Sequence, residues 1–120
     1  MGLFNRLRRG RSKGRPGAGP RSANDADATH LREWAAARYG VEAFVEPRTA
    51  VTETTIVLVA HDGEWTRRRV DGPAAARKFA QKLKMPIYDV ALVGYPKRMR
   101  DYDARQKILR EREQRRRDLD

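Results

Sequence analysis

Apolar residues in the stretch 24–40 repeat with the period of an α-helix. Leu31, Trp34 and Tyr39 share one face of such a helix, behind Asn and Asp residues suited to capping its first turn. Gly40 follows the last residue of this stripe, where glycine often ends a helix. The pattern therefore predicts a first helix over this stretch.

The next thirty residues have the pattern of strands, with predicted bounds at 41–46, 51–60 and 64–70. The middle stretch is rich in β-branched residues and closes with the unbroken apolar run 56–60, which is typical of a strand covered on both faces. Asp62 and Gly63 follow it, and an Asp-Gly pair between two such stretches is a strong hairpin signal. We therefore expect 56–59 to pair antiparallel with 65–69.

A second helix and a fourth strand come next. Pro73 suits a first helical turn, and Pro86 limits the helix at its other end. The buried stripe of this helix is predicted to be Ala76, Phe79, Ala80 and Leu83. Residues 87–93 have the pattern of a strand, which we expect to lie parallel to 64–70 through a right-handed crossover.

Together these elements predict an α+β fold with the order α-β-β-β-α-β-α. A compact domain is expected at 24–95, a disordered basic tail at 1–23 and a basic C-terminal helix at 96–120. Residues 8–22 mix Gly, Pro, Ser and Arg and cannot bury enough apolar surface to offset the entropy of ordering them. Because apolar residues become scarce beyond Arg110, the last helix is expected to dock at its start and project at its end.

The positive charge of the chain is concentrated at its two ends. Its 120 residues carry 27 Lys and Arg against 16 Asp and Glu, a formal net charge of +11. Residues 1–22 account for +7 and residues 97–120 for +4, while residues 23–96 sum to zero. Within this neutral middle, 23–64 carry −5 and 65–96 carry +5. Such a distribution bears on partners rather than on fold, and it favours an anionic partner.

The sequence offers little for catalysis or cofactor binding. It has no cysteine, which excludes disulfides and thiolate zinc sites. Its two histidines, His30 and His61, are distant in sequence and do not by themselves define a metal or acid–base site. P-loop, zinc-binding and Rossmann signatures are absent. We therefore predict no metal and no cofactor, and favour a non-enzymatic role in the cytoplasm, since no signal peptide or membrane span is evident.

A candidate nucleic-acid surface is centred on the third predicted strand and the helix after it. Trp65, Arg67 and Arg69 share one face of a strand, where the ring can stack on a base and the guanidinium groups can hold phosphate. The simpler interpretation is a tryptophan at the edge of the core beside solvated arginines. The remaining cations of the predicted surface are Arg77, Lys78 and Lys82 in the second helix, and Lys97, Arg98 and Arg100 in the last.

The stretch 101–117 carries seven bases and four acids and is open to two interpretations. Each acid precedes a base by four residues, an orientation that stabilises a helix by ~0.2–0.5 kcal/mol per pair. These pairs are Asp101–Arg105, Asp103–Lys107, Glu111–Arg115 and Glu113–Arg117. The surplus bases suit an anionic ligand. A thin apolar seam of Met99, Tyr102, Ile108 and Leu109 instead suits docking in the groove of a protein partner.

The order of elements over residues 27–84 resembles that of the double-stranded RNA-binding domain. In that family the second helix opens with lysines that grip phosphate, and only Arg77 and Lys78 match them here, one turn late. The glycine-rich third strand of the family is replaced by "EWTRRR", and the strand at 87–93 is extra. The resemblance is one of topology, and what it implies is RNA binding by analogy.

Two longer stretches, "VTETTIVLVAHDGEWTRRRV" and "YDVALVGYPKRMRDYDARQ", resemble small uncharacterised proteins of actinobacteria. Some of these relatives carry the label oxidoreductase, but no catalytic residue can be carried over to this chain. The leading prediction is therefore a non-enzymatic protein that binds RNA, free or in the ribosome. A protein-interaction module that docks through its C-terminal helix is the alternative, and a small oxidoreductase is the third.

Overall fold

The computed structural model describes residues 25–120, so the predicted disordered tail at 1–23, with its segment 8–22, lies outside the described residues. The elements within that range are α1 (Asp25–Ala36), β1 (Glu42–Glu46), β2 (Thr55–Val59), β3 (Trp65–Arg69), α2 (Pro73–Lys82), β4 (Ile87–Asp89), α3 (Val90–Val93) and α4 (Lys97–Leu119). They confirm the predicted α+β class.

The strands form one mixed sheet in the order β3-β2-β1-β4. β2 pairs antiparallel with β1 and with β3, and the register of the second pair sets Val59 opposite Trp65 and Ile56 opposite Arg68. This confirms the predicted hairpin. Its turn is closed by a hydrogen bond from the Gly63 amide to the Ala60 carbonyl at 2.9 Å, and Gly63 has a φ of +95°, which side-chain-bearing residues rarely adopt.

One face of the sheet, here the α1/α2 face, carries the larger part of the core. Leu31 and Trp34 of α1 and Ala76 and Ala80 of α2 pack against alternate residues of the strands. Those strand residues are Ala43 and Val45 of β1 and Ile56 and Leu58 of β2. Both helices reach this face because each has a single apolar stripe that must be buried.

The opposite face, here the α4 face, is covered by the start of α4. Phe44, Val57 and Val59 alternate with the residues of the other face and pack against Met99. Partly buried Trp65 and Val90 flank this cluster. Residues 56–60 are therefore buried from both sides, as the unbroken apolar run predicted.

The prediction for residues 87–93 was wrong in two respects. Only Ile87–Asp89 is a strand, because Asp89 caps a short helix by accepting a hydrogen bond from the Ala91 amide at 2.8 Å. That strand pairs parallel with β1, not with 64–70. Pairing with β1 sets its residues beside Ala43 and Phe44, whereas the outer edge of β3 would have offered mostly arginines.

α4 docks at its start and projects at its end, as predicted. Met99 is its buried residue, and the last hydrogen bond from α4 to the sheet domain runs from Arg105 Nη2 to the Asp62 carbonyl at 2.8 Å. Within residues 25–120, no hydrogen bond or ion pair joins 106–119 to the rest of the protein, and this part of the helix extends roughly 21 Å. Ile108 and Leu109 are about half exposed, at 47% and 53%.

Candidate nucleic-acid interface

The sheet separates the predicted site residues into two groups on opposite sides of the molecule. Trp65, Arg67 and Arg69 alternate along β3 and belong to the α4 face, where Trp65 packs beside Met99. Lys97, Arg98 and Arg100 lie in the first turn of α4, over the same face. Arg77, Lys78 and Lys82 lie in α2, which packs on the other face. The structure therefore does not bring the nine residues into one surface.

Arg67 is held by a carboxylate of its own chain. Its Nε and Nη2 donate to the two carboxylate oxygens of Glu46 at 2.7 and 2.9 Å, and this pairing raises the pKa of Arg67. Glu46 also accepts hydrogen bonds from Thr55 Oγ1, at 2.6 Å, and from the Tyr95 hydroxyl. Burial alone would raise the pKa of Glu46, but these donors outweigh it and hold the pKa below its ordinary value. A phosphate would have to compete with this carboxylate.

Trp65 has contacts that attach α4 to the sheet. Its Nε1 donates to Asp103 Oδ1 at 2.9 Å, and its ring packs at the edge of the Phe44 cluster. The Arg67 guanidinium carbon lies 5.1 Å from the ring centroid. These contacts favour the role of an anchor at the edge of the core, and stacking on a base stays a prediction.

Arg98 ties the first turn of α4 to the end of β2. Its Nε donates to the Ala60 carbonyl at 2.9 Å, and its Nη2 donates to Glu42 at 2.6 Å. Lys97 forms an ion pair with Asp101 at 2.9 Å on the exposed surface of the helix. Arg100 is exposed and contacts a carboxylate nowhere in residues 25–120.

Of the four acid–base pairs predicted along α4, one forms in the described residues. It is Glu113–Arg117, at 3.5 Å, and Glu113 also pairs with Arg116. Asp103 accepts from Trp65 and Arg105 donates to the Asp62 carbonyl, so both turn towards the domain instead of along the helix. Tertiary contacts compete successfully here because an exposed pair along a helix adds only a few tenths of a kcal/mol.

The exposed cations of α2, with Lys84 just beyond its end, form a group without carboxylate partners in residues 25–120. Arg77, Lys78, Lys82 and Lys84 are exposed, and within residues 25–120 their side chains form no ion pair or hydrogen bond. We call these four residues the α2 cation strip. They point outwards because the stripe around Ala76 and Ala80 faces the sheet. The sequence also helps to explain why these cations have no carboxylate partner, since no acid occurs between Asp71 and Asp89.

A cleft beside this strip was missed by the sequence analysis. It lies between the C-terminal ends of α1 and α2, and Tyr39 and Lys84 are among the residues that line it. Tyr39 had been assigned to the apolar stripe of the first helix, but α1 ends at Ala36 and Tyr39 is 71% exposed. The available signal was Gly40, because glycine tolerates the positive φ of +65° with which the chain turns after the helix.

Both histidines have structural partners. His30 Nε2 lies 2.7 Å from the hydroxyl oxygen of Thr66, which joins α1 to β3. His61 stacks on Tyr39, with ring centroids 4.1 Å apart. Over residues 25–120, no cluster of three or more His, Asp or Glu side chains is placed to hold a metal ion.

In the same range, every helix is too short or too polar to cross a bilayer. Comparison with known proteins adds no relationship: neither a protein-family model, nor a curated protein, nor a solved structure matches this chain.

Proposed function

We propose that this is a cytoplasmic, non-enzymatic protein that binds RNA, free or in the ribosome, through phosphate contacts made by the α2 cation strip. The observation that carries the proposal is the contrast between the two faces. Arg67 and Arg98 on the α4 face are neutralised by Glu46 and Glu42, while the strip is exposed and unpaired in the described part of the chain. An unpaired cation can contact a phosphate without first giving up a carboxylate.

The geometry of the strip suits a phosphate backbone. Arg77, Lys78 and Lys82 occupy the outer side of one helix and span roughly 7–8 Å along its axis. Guanidinium and ammonium groups are the usual donors to phosphate, the first as a planar fork and the second as a point charge. Three to four contacts of this kind give sequence-independent affinity that depends steeply on salt.

The two basic ends of the chain would add to this affinity. Residues 1–22 contain seven bases and no acid. The projecting part of α4, from Lys107 onwards, carries further bases, among them Arg110 and Arg112, for which no carboxylate partner is found in residues 25–120. Additional cations extend the contact with a polyanion without requiring a shaped surface, since phosphate binding of this kind is largely electrostatic.

The proposal is tested by removing charge from the strip and, separately, from α4. The strip variant is Arg77→Gln, Lys78→Gln and Lys82→Gln. The matched control is Lys97→Gln, Arg100→Gln and Lys107→Gln, which removes the same charge from exposed positions on α4. Binding of a fluorescent 12-nucleotide RNA and of an RNA hairpin is measured by anisotropy between 50 and 200 mM salt.

We expect the strip variant to bind more weakly than the control and to have a shallower salt dependence. The slope of log K against log salt should fall by about 0.7–0.9 for each phosphate contact removed. Equal losses in both variants would refute the strip as the interface. If the intact protein fails to bind RNA at 50 mM salt, the proposed function itself is wrong.

A second candidate is protein docking through the projecting half of α4. Met99 is already buried in the domain, but Ile108 and Leu109 are about half exposed, in a part of α4 that has no hydrogen bond or ion pair to the sheet domain among residues 25–120. This function predicts a protein partner that survives nuclease treatment of a lysate and is lost from Ile108→Gln/Leu109→Gln. Retention by that variant would exclude α4 as the docking element.

A further inference from the structure

The cleft between the ends of α1 and α2 has the size of a ligand site. Its volume is about 440 Å³, within the range of ~300–1,000 Å³ typical of small-molecule pockets. Its apolar lining comes from Ala35, Val41, Leu83, Met85 and Pro86. A planar, largely apolar ring system is the kind of group that such a lining can bury.

The charged residues of the cleft are all basic. Arg32, Arg38 and Lys84 contribute to its lining, which includes no Asp or Glu. Arg38 is bound to Glu64 through hydrogen bonds of 3.0 and 2.8 Å, so it is not free for a ligand. Arg32 and Lys84 are exposed, and no described carboxylate pairs with either. The rim therefore favours a ligand that carries a negative charge next to its apolar part.

Tyr39 gives the cleft an exposed aromatic face. Its ring is 71% exposed overall, although one side stacks on His61 with a centroid distance of 4.1 Å and an interplanar angle of 13°. The His61 amide also donates to the Tyr39 carbonyl at 3.2 Å, which fixes the backbone beneath the ring. A supported ring with one open side is suited to stacking on a second planar group.

The cleft is continuous with the α2 cation strip. Lys84 belongs to both, and Leu83 of the lining directly follows Lys82, the last residue of α2. Lys84 has a φ of +55°, a left-handed conformation that turns the chain at the end of the helix towards β4. A polymer whose phosphates follow the strip would bring its next residue to the mouth of the cleft.

We propose that this cleft binds one unstacked base of single-stranded RNA, packed against Tyr39, while the neighbouring phosphates contact Arg32, Lys84 and the strip. The inference rests on the proposed function and specifies that the RNA is bound as a single strand. A base within a duplex is paired and stacked and cannot enter a cleft, whereas a base in a single strand is free to do so. A free nucleotide shares this chemistry and is the competing source of the ligand.

The test separates stacking from charge. Tyr39→Ala removes the ring, Tyr39→Phe keeps it, and Ala36→Leu fills the mouth of the cleft from an exposed helical position. Each full-length variant is titrated with a 12-nucleotide single strand, a blunt-ended RNA duplex without a loop, and adenosine monophosphate. Anisotropy gives the RNA affinities, and NMR shifts of the Leu83 and Met85 methyl groups report entry of a base.

We expect Tyr39→Ala and Ala36→Leu to weaken single-strand binding by roughly 5- to 150-fold, the equivalent of one lost base–aromatic stack. Tyr39→Phe should change single-strand affinity by less than about two-fold because the ring is kept, and the duplex affinity of every variant should change as little because paired bases cannot enter the cleft. The salt slope of Tyr39→Ala should equal that of the intact protein because no charge is removed.

Three results would overturn the inference. If Tyr39→Ala leaves single-strand affinity unchanged while the strip variant loses binding, RNA binding stands but the cleft takes no base. If adenosine monophosphate binds as tightly as the oligonucleotide and independently of the strip, the cleft is a site for a free nucleotide. Unmoved methyl signals on saturation with the single strand would also exclude base entry.

Discussion

Replacing Gly63 with alanine should detach the start of α4 from the sheet. A Cβ atom at this position would lie 2.0 Å from the Arg98 carbonyl oxygen and 2.9 Å from Tyr102 Cβ. The first of these atoms belongs to the backbone of α4, so no side-chain rotation relieves the clash. The helix or the hairpin turn must move, and the contacts around Arg98 and Met99 lie at the place of the movement.

The expected loss of stability follows from the contacts that this movement breaks. Met99 is 7% exposed, and complete burial of a methionine contributes about 1.5–3 kcal/mol. Hydrogen bonds from a charged donor, such as those from Arg98 to the Ala60 carbonyl and Glu42, contribute about 1.5–3 kcal/mol. A partial displacement loses part of each, so we expect the clash itself to cost at least ~2 kcal/mol. A positive φ adds about 1–3 kcal/mol of strain on top of this.

Two other glycines make it possible to separate the cost of the steric clash from the cost of the positive φ. Gly72 and Gly94 have φ values of +91° and +74°, and a Cβ at either would meet nothing within 4 Å. Gly72→Ala and Gly94→Ala should therefore show the backbone strain alone. Free energies of unfolding are measured by urea denaturation with far-UV circular dichroism, and hydrogen exchange of residues 98–105 reports whether the start of α4 has come loose.

Gly63→Ala should lower the free energy of unfolding by ~2 kcal/mol or more beyond the loss in either control. This is equivalent to a Tm lower by roughly 8–16 °C for a domain of this size. Its amides at 98–105 should also exchange faster than those of the controls. A Gly63→Ala cost no larger than that of Gly72→Ala would refute the packing of α4 on the hairpin turn.

Two further predictions concern the α4 face. The pKa of Glu46 lies below its ordinary value of 4.5, so its ionised form stabilises the protein above that pH and the contribution is lost as the pH falls through the folded-state value. Urea denaturation between pH 7 and pH 3 should therefore show Glu46→Gln less stable than the intact protein at pH 7, with the difference shrinking below pH 4.5; a constant difference would contradict the assigned hydrogen bonds. Deleting residues 111–120 should change the free energy of unfolding by less than ~0.5 kcal/mol, because the last hydrogen bond of α4 to the domain is made by Arg105 and the deleted residues are nearly all exposed. A larger loss in thermal denaturation would mean that the projecting half packs on the protein.

Local sequence determined the elements whose signals are short-range. Asp62 and Gly63 fix a tight turn through backbone geometry, and the β-rich stretches on either side then pair with few alternatives. The bounds of α2 follow from Pro73, which is favoured in a first helical turn, while Pro86 keeps the chain from continuing the helix. The unbroken run 56–60 predicted burial on both faces because a strand exposes its two sides in alternation.

The place of β4 depended on the tertiary structure. β1 and β3 both run antiparallel to β2, so a crossover through α2 could return a parallel strand beside either one. The choice of β1 reflects which edge packs Ile87 against the core, and this is a comparison of two complete packings. No local pattern in 87–93 carries that information.

The tertiary structure also determined which residues belong to the candidate interface. The sequence identified Arg67, Arg98 and the strip alike as cations, since charge is a property of each residue. Whether a cation is free depends on the carboxylates that folding brings within about 4 Å, and Glu46 and Glu42 lie 21 and 56 positions from their arginines. The cations of the α2 cation strip are unpaired within the described residues because no acid lies near them along the chain, and because those within α2 lie on the side of the helix opposite to the one that packs on the sheet. Composition therefore determined that the protein is basic, whereas folding determined which of the arginines on the α4 face are paired, because ion pairing acts through space and not along the sequence.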